Sequence, residues 1–116
     1  MASIILIDDY DHFRMIISMM LENSGHEVRL AESGEEGIEL FKVSPADIVI
    51  TDLHMPGLTG CEIITALRKI SRDVKIAVMS GSLDKSDKAE EMGANIFISK
   101  PVSAKKLFEA IDKLLA

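Results

Sequence analysis

A doubly wound α/β fold built on a five-stranded parallel sheet is what this chain predicts, and three observations carry the prediction. Short apolar runs and amphipathic helical patterns alternate five times along 116 residues. The connections are short, which favours right-handed crossovers between neighbouring elements. Several of the apolar runs are continuous rather than alternating, as expected of strands covered by helices on both faces. No internal repeat or low-complexity linker interrupts the pattern.

Ser3-Ile4-Ile5-Leu6-Ile7 is a continuous apolar run that stops at Asp8-Asp9, and it reads as the first strand. From Asp11, the expected N-cap, Phe13, Ile16, Ile17, Met20 and Leu21 recur at helical spacing, with Gly25 as a left-handed stop. Glu27-Val28-Arg29-Leu30-Ala31 alternates polar and apolar residues, the pattern of a shorter strand nearer an edge. Ser33-Gly34-Glu35-Glu36 matches a capping box, and the helix it opens runs to about Val43 because Pro45 prevents its extension. The central strand, Ala46-Asp47-Ile48-Val49-Ile50-Thr51-Asp52, ends abruptly in a carboxylate ahead of a loop carrying Pro56 and Gly57. Residues 60–70 then place Ile63, Ile64, Leu67 and Ile70 on one helical face. Val74-Lys75-Ile76-Ala77-Val78-Met79 is the fourth strand, closing on Ser80-Gly81-Ser82. Residues 84–92 are mostly charged with few core anchors, and they read as a fourth and least firmly held helix that stops at Gly93. Ala94-Asn95-Ile96-Phe97-Ile98-Ser99 is the fifth strand, ended by Lys100-Pro101. Ser103 caps a last helix whose Leu107, Phe108, Ile111, Leu114 and Leu115 form one stripe.

Composition narrows the functional classes. An apolar content of 47% is ample for one core, and the length fits a single domain over 1–116. With 13 basic and 19 acidic residues the net charge is −6, which argues against broad attraction to nucleic acid or anionic lipid. Cys61 is the sole cysteine, so there is no internal disulfide and no cysteine cluster for zinc. No apolar run approaches the ~20 residues of a membrane span, and Met1-Ala2-Ser3 leads into a strand rather than a signal peptide, so the cytoplasm is the expected compartment. The seven methionines read as adaptable core filler, and His12 and His26 as exposed helix-start and loop residues.

In a parallel sheet wrapped by helices, only the carboxyl ends of the strands and their loops stay open to a ligand. Asp8 and Asp9 follow the first strand, Asp52 the third, Ser80 the fourth and Lys100 the fifth, so all share one rim. Three carboxylates in a small space repel, and a proton or a cation has to join them. Mg²⁺ suits such a site, since it keeps several waters and binds through one or two carboxylates plus phosphate oxygens. A carboxylate beside such a cation can attack phosphorus and form an aspartyl phosphate. The transferring group spreads charge over three oxygens, for which Mg²⁺, the Lys100 ammonium and the Ser80 hydroxyl are one candidate each.

These residues, in this order, resemble the receiver domain of two-component response regulators of the chemotaxis-regulator type. The resemblance runs from Ile4 to Leu115 and rests on Asp8-Asp9, on Asp52-x-x-Met55-Pro56-Gly57-x-x-Gly60, on Ser80, and on Gly93-Ala94-x-x-Phe97-x-x-Lys100-Pro101. It implies a flavodoxin-like sheet of order 2-1-3-4-5 and phosphorelay signalling. Asp52 would be the phosphoacceptor; Asp8, through water, with Asp9, Asp52 and the His54 backbone carbonyl would contact Mg²⁺; Ser80 and Lys100 would contact the phosphoryl group. The donor would be a phosphohistidine of a sensor histidine kinase or histidine phosphotransfer protein, and the receiver itself would catalyse the transfer. Ser80 and Phe97 would form the switch, changing the face made by the fourth helix, fifth strand and last helix toward a downstream protein or an attached output domain. Direct nucleic-acid or membrane binding is not expected, and the oligomeric state would be a monomer or a phosphorylation-dependent dimer. His54 and Ser82 stand at variable positions that influence phosphoryl lifetime. Tyr10 stands where many receivers carry a further acidic residue.

Plainer readings stand beside several of these. Asp8 could simply cap the first helix, Phe97 could be core, and His54 could be a solvent-facing loop residue instead of one that shields water. A cis peptide at Lys100-Pro101 would aim the ammonium inward. Rival readings exist for the whole chain. A haloacid-dehalogenase-type phosphatase needs a second aspartate two residues beyond the first, where this chain has His54. A receiver-like module that binds a partner without phosphorylation is the alternative, although a complete acidic rim with Lys100 argues against it. A flavodoxin-like nucleotide binder is disfavoured because no Gly/Ser/Thr-rich loop follows the first strand. With no output segment after the last helix, the chain reads as a single-domain regulator or as a receiver cut from a larger protein.

Overall fold

The computed structural model describes residues 1–81 and 93–116. Five strands, β1 (Ser3–Ile7), β2 (Glu27–Ala31), β3 (Ile48–Asp52), β4 (Lys75–Ser80) and β5 (Ile96–Ser99), form one sheet of order β2-β1-β3-β4-β5 in which every neighbouring pair is parallel. Helices α1 (Asp11–Asn23), α2 (Gly34–Val43), α3 (Gly60–Ile70) and a C-terminal helix (Ala104–Leu115) cover it. The expected helix at 84–92 lies outside the described residues.

The strand period divides the core in two. Ile4, Leu6, Ile48, Ile50, Ala77 and Met79 point to the side closed by Ile17 and Leu21 of α1 and by Leu107, Ile111 and Leu114 of the C-terminal helix. Ile5, Ile7, Val49, Ile76 and Val78 point the other way, onto Ile38 and Phe41 of α2 and Ile63, Ile64 and Leu67 of α3. Each fully buried aliphatic side chain contributes about 1.5–3 kcal/mol relative to exposure. Because both faces of the inner strands are covered this way, a one-residue slip would not expose a polar face; register is held by the backbone ladder and the strand-end turns.

Local chemistry departs from expectation at several ends. The N-cap of α1 is Tyr10, with no side-chain cap, and Asp11 is the first helical residue. At α2 the Ser33 hydroxyl accepts from the Glu36 amide, but the Glu36 carboxylate reaches the Glu32 amide, so the box is only half closed. The full capping box is at α3, where Thr59 and Glu62 satisfy each other's backbone amides. Ile16, Ile70 and Leu115 turn outward from their expected stripes, at the edges of apolar faces already filled by their neighbours. The methionines are not uniformly core: Met79 is fully buried, whereas Met15 and Met19 are 60% and 56% exposed on α1. His26 is half-buried, and its Nδ1 accepts from the Ala2 amide at 3.1 Å.

Arg68 pins the opposite rim of the sheet. Its guanidinium donates to the carbonyls of Gly93, Arg72 and Val74 and to Asn95 Oδ1, which also accepts from the Ile76 amide. Close packing also shapes the loop after β3. The Gly60 amide donates to the Leu53 carbonyl at 3.1 Å, and a Cβ on Gly60 would lie 2.9 Å from Leu53 Cα. That neighbour is backbone and cannot turn aside. Gly60→Ala is therefore expected to destabilise the fold by about 1–3 kcal/mol, read as a lower urea midpoint; an unchanged midpoint would show that the loop yields without cost.

Candidate functional site

Parallel pairing carries the expected residues to one edge. Ile7 pairs with Thr51 and Asp52 with Met79, so Asp8, Asp52 and Ser80 succeed one another across adjacent strand ends. The ladder continues past the last strand pair, because the Lys100 amide donates to the Ser80 carbonyl at 2.9 Å. Lys100 thus leaves β5 directly beside the end of β4, and the Lys100–Pro101 peptide is cis.

Asp52 is buried at the end of β3, its side chain only 8% exposed. The Lys100 ammonium donates to its Oδ2 at 2.5 Å, and the His54 amide donates to its Oδ1 at 3.0 Å. One carboxylate is therefore held at both oxygens, with an ion pair on one side and a backbone dipole on the other. Lys100 Nζ also lies 4.9 Å from the centroid of the Phe13 ring on α1. Ser80 is buried at the end of β4. His54 itself is exposed, and so is Asp9.

Asp8 is almost wholly buried, and its two oxygens differ. Oδ1 accepts from the Tyr10 amide at 2.8 Å, whereas Oδ2 is buried with no hydrogen-bond partner among the described residues. Burial pushes its carboxyl above the ordinary carboxylate range; the Tyr10 amide opposes this, Asp52 adds to it, and Lys100 and Asp9 pull in opposite directions. Its backbone is held as well, since the buried Arg14 donates from Nη1 to the Asp8 carbonyl at 2.7 Å and from Nη2 to Asp11 Oδ1 at 2.6 Å. Among the described residues no three carboxylate, imidazole or thiol side chains converge on a single point.

Phe97, in β5, is half-buried and lines a cavity of about 220 Å³ with Ser99, Lys106 and Glu109, between β5 and the C-terminal helix. Ser82 lies outside the described residues. Two neighbours of the acidic turn carry little signal in the sequence. Phe13 reads only as part of a helical stripe, and the one sign of Arg14 is a basic residue six positions after Asp8, near the start of a helix.

The family model of the response regulator receiver domain matches residues 4–112. The chain belongs to that family. Among receiver relatives, Protein PilH of Pseudomonas aeruginosa is 31% identical over 123 aligned residues, with 100% of this chain and 99% of PilH covered. The transcriptional regulatory protein GlrR of Escherichia coli is 29% identical over 98% of this chain, which spans only 26% of the length of GlrR. The crystal structure of a response regulator receiver domain protein from Clostridium thermocellum matches with a TM-score of 0.92 at 34% identity, covering 99% of this chain and 94% of that one. The receiver fold and its sheet order are thus as the resemblance implied. Among the described residues no helix is long and apolar enough to cross a membrane.

The state of Asp8 gives this receiver a testable pH dependence. Because its folded pKa lies above the ordinary 3.8, folding favours the protonated form; the associated stability is fully present below the unfolded value and is lost as pH rises through the folded one. The wild type comes to bear the penalty as pH rises through that folded value. Asp8→Asn keeps an oxygen for the Tyr10 amide, and it is expected to raise the thermal midpoint in metal-free buffer at pH 7. Calorimetry from pH 3.5 to 8 should show the gain vanish at the acid end, whereas a lower midpoint at pH 7 would contradict this account.

Proposed function

We propose that this receiver accepts a phosphoryl group on Asp52 from a phosphohistidine of a sensor histidine kinase or histidine phosphotransfer protein. The observation that carries the reading is the Lys100 ammonium seated on the buried Asp52 carboxylate, beside the strand end that bears Ser80. A carboxylate oxygen forms the new O–P bond as the P–N bond of the donor breaks, and the electron pair of that bond stays on the departing imidazole. Lys100 is poised to follow the negative charge from the carboxylate to a phosphoryl oxygen, since a lysine stem is long and its donors rotate. The Ser80 hydroxyl serves a second phosphoryl oxygen. The His54 amide, already fixed on Asp52 Oδ1, keeps the carboxylate oriented throughout.

The donor set fits a hard divalent cation. Asp8 Oδ2 is buried with no hydrogen-bond partner among the described residues, and burial, with Asp52 and Asp9 adding to it, disfavours the Asp8 carboxylate in a way that a nearby cation would offset. Asp9, Asp52 and the His54 backbone carbonyl would hold Mg²⁺, with Asp8 contributing through water. When bound, the ion supplies positive charge against the transferring oxygens. Beyond the site, Ser80 and Phe97 act as the switch, and the face of β5 and the C-terminal helix passes the change to a partner or output domain. The phosphoryl group carries roughly two negative charges where the free Asp52 carboxylate carried one, and this change, with the new oxygens to be contacted, can bias an element whose two arrangements differ by a few kcal/mol. His54 and Ser82 set how fast the phosphoryl group is lost.

Incubation with acetyl phosphate is expected to add one phosphoryl mass only when Mg²⁺ is present. The adduct should be labile to hydroxylamine and absent from Asp52→Asn. No adduct, with no beryllofluoride binding either, would favour a module that binds its partner without phosphorylation. Once the adduct is in hand, His54→Ala is expected to change its decay rate measurably, and an unchanged half-life would make His54 a bystander.

A further inference from the structure

The Lys100 ammonium lies beside both Asp52 and Phe13, and only Asp52 belongs to the reaction. Asp52 Oδ2 is 2.5 Å away and the Phe13 ring centroid 4.9 Å away. Lys100 is one-third exposed and Phe13 half-buried, so the contact between them is partly shielded from water. A cation at this distance from an aromatic face is attracted by the ring quadrupole, more strongly as water is excluded. From these contacts we infer that Phe13 is a positioning residue for Lys100, holding the ammonium over the Asp52 carboxylate by a cation–π contact.

The proposal rests on Asp52 being the phosphoacceptor. What recommends a ring at this place is the movement that the transfer demands. The ammonium has to shift from a carboxylate oxygen to a phosphoryl oxygen, and a second carboxylate anchor would compete with the incoming group for it. A π face offers no directional lone pair, so it restrains the long lysine stem without fixing the ammonium to one point. Phe13 lies in the first turn of α1, and it packs against the core shared with Leu6 and Ile50, on the side of the sheet closed by the C-terminal helix. The ring is therefore held from behind while its face meets Lys100.

The test compares Phe13→Leu, which keeps apolar bulk and removes the π face, with Phe13→Tyr, which keeps the face. Wild-type protein is first incubated with Mg²⁺ and acetyl phosphate; no adduct here means the phosphoacceptor reading fails and this proposal falls with it. Given an adduct, Phe13→Leu is expected to phosphorylate roughly fivefold more slowly at saturating Mg²⁺ and donor. Its Mg²⁺ midpoint should be unchanged, and Phe13→Tyr should return the rate to near wild type. In ¹H–¹³C spectra the Lys100 ε-methylene resonances, shifted upfield by the ring, should move downfield in Phe13→Leu and stay in Phe13→Tyr. Wild-type rates with unmoved Lys100 resonances in Phe13→Leu would overturn the proposal. So would an equal loss of rate in both variants, which would mark a packing role only.

Discussion

A sheet whose strands all run the same way has to deliver every strand's carboxyl end to one edge, and the rest of this molecule follows from that constraint. Register makes the delivery exact to the residue, with Ile7 opposite Thr51 and Asp52 opposite Met79. The cost is electrostatic. Carboxylates at two adjacent strand ends, Asp8 and Asp52, are brought together with little water to screen them. Lys100 offsets part of this by seating on Asp52, whereas Asp8 is left with a buried oxygen that has no partner among the described residues. The rim is thus an electrostatically unfinished surface on a finished core.

The opposite rim is built on the other principle. Arg68 spreads one guanidinium over three carbonyls and an amide oxygen, tying the start of β4 to the approach to β5. A lysine could not replace it, because a single ammonium lacks the planar fork that reaches several acceptors at once. Hydrogen bonding is satisfied there, the two apolar layers are closed, and unspent charge is found at the carboxyl edge. Sites whose groups are pulled between competing states commonly coincide with function.

Much of this was legible in the chain because it depends on periodicity. The strand and helix types, the sheet class and the rim residues Asp8, Asp52, Ser80 and Lys100 follow from where apolar runs stop, and a buried parallel strand leaves little freedom about where its end points. What was not legible depends on contacts between distant segments. Phe13 reads as one more apolar position in a helix, and only the packing of α1 against the strand ends puts its ring beside Lys100. Arg14 becomes informative only once the turn folds back and its guanidinium meets the Asp8 carbonyl. The capping boxes mark a finer limit: Ser33/Glu36 and Thr59/Glu62 have the same spacing, yet only the second closes, because the Glu36 carboxylate turns to the amide one residue before the cap.

The outward turn of Met15 and Met19 on α1 has a consequence for redox chemistry. Thioethers oxidise to polar, chiral sulfoxides, and access governs which are attacked first. On this molecule an oxidant reaches Met15 and Met19 long before Met79, which is fully buried under the C-terminal helix side of the sheet. Oxidation there would change the wetting of the outer face of α1 and leave the core packing intact, so the fold survives a chemical insult that redraws the character of one surface.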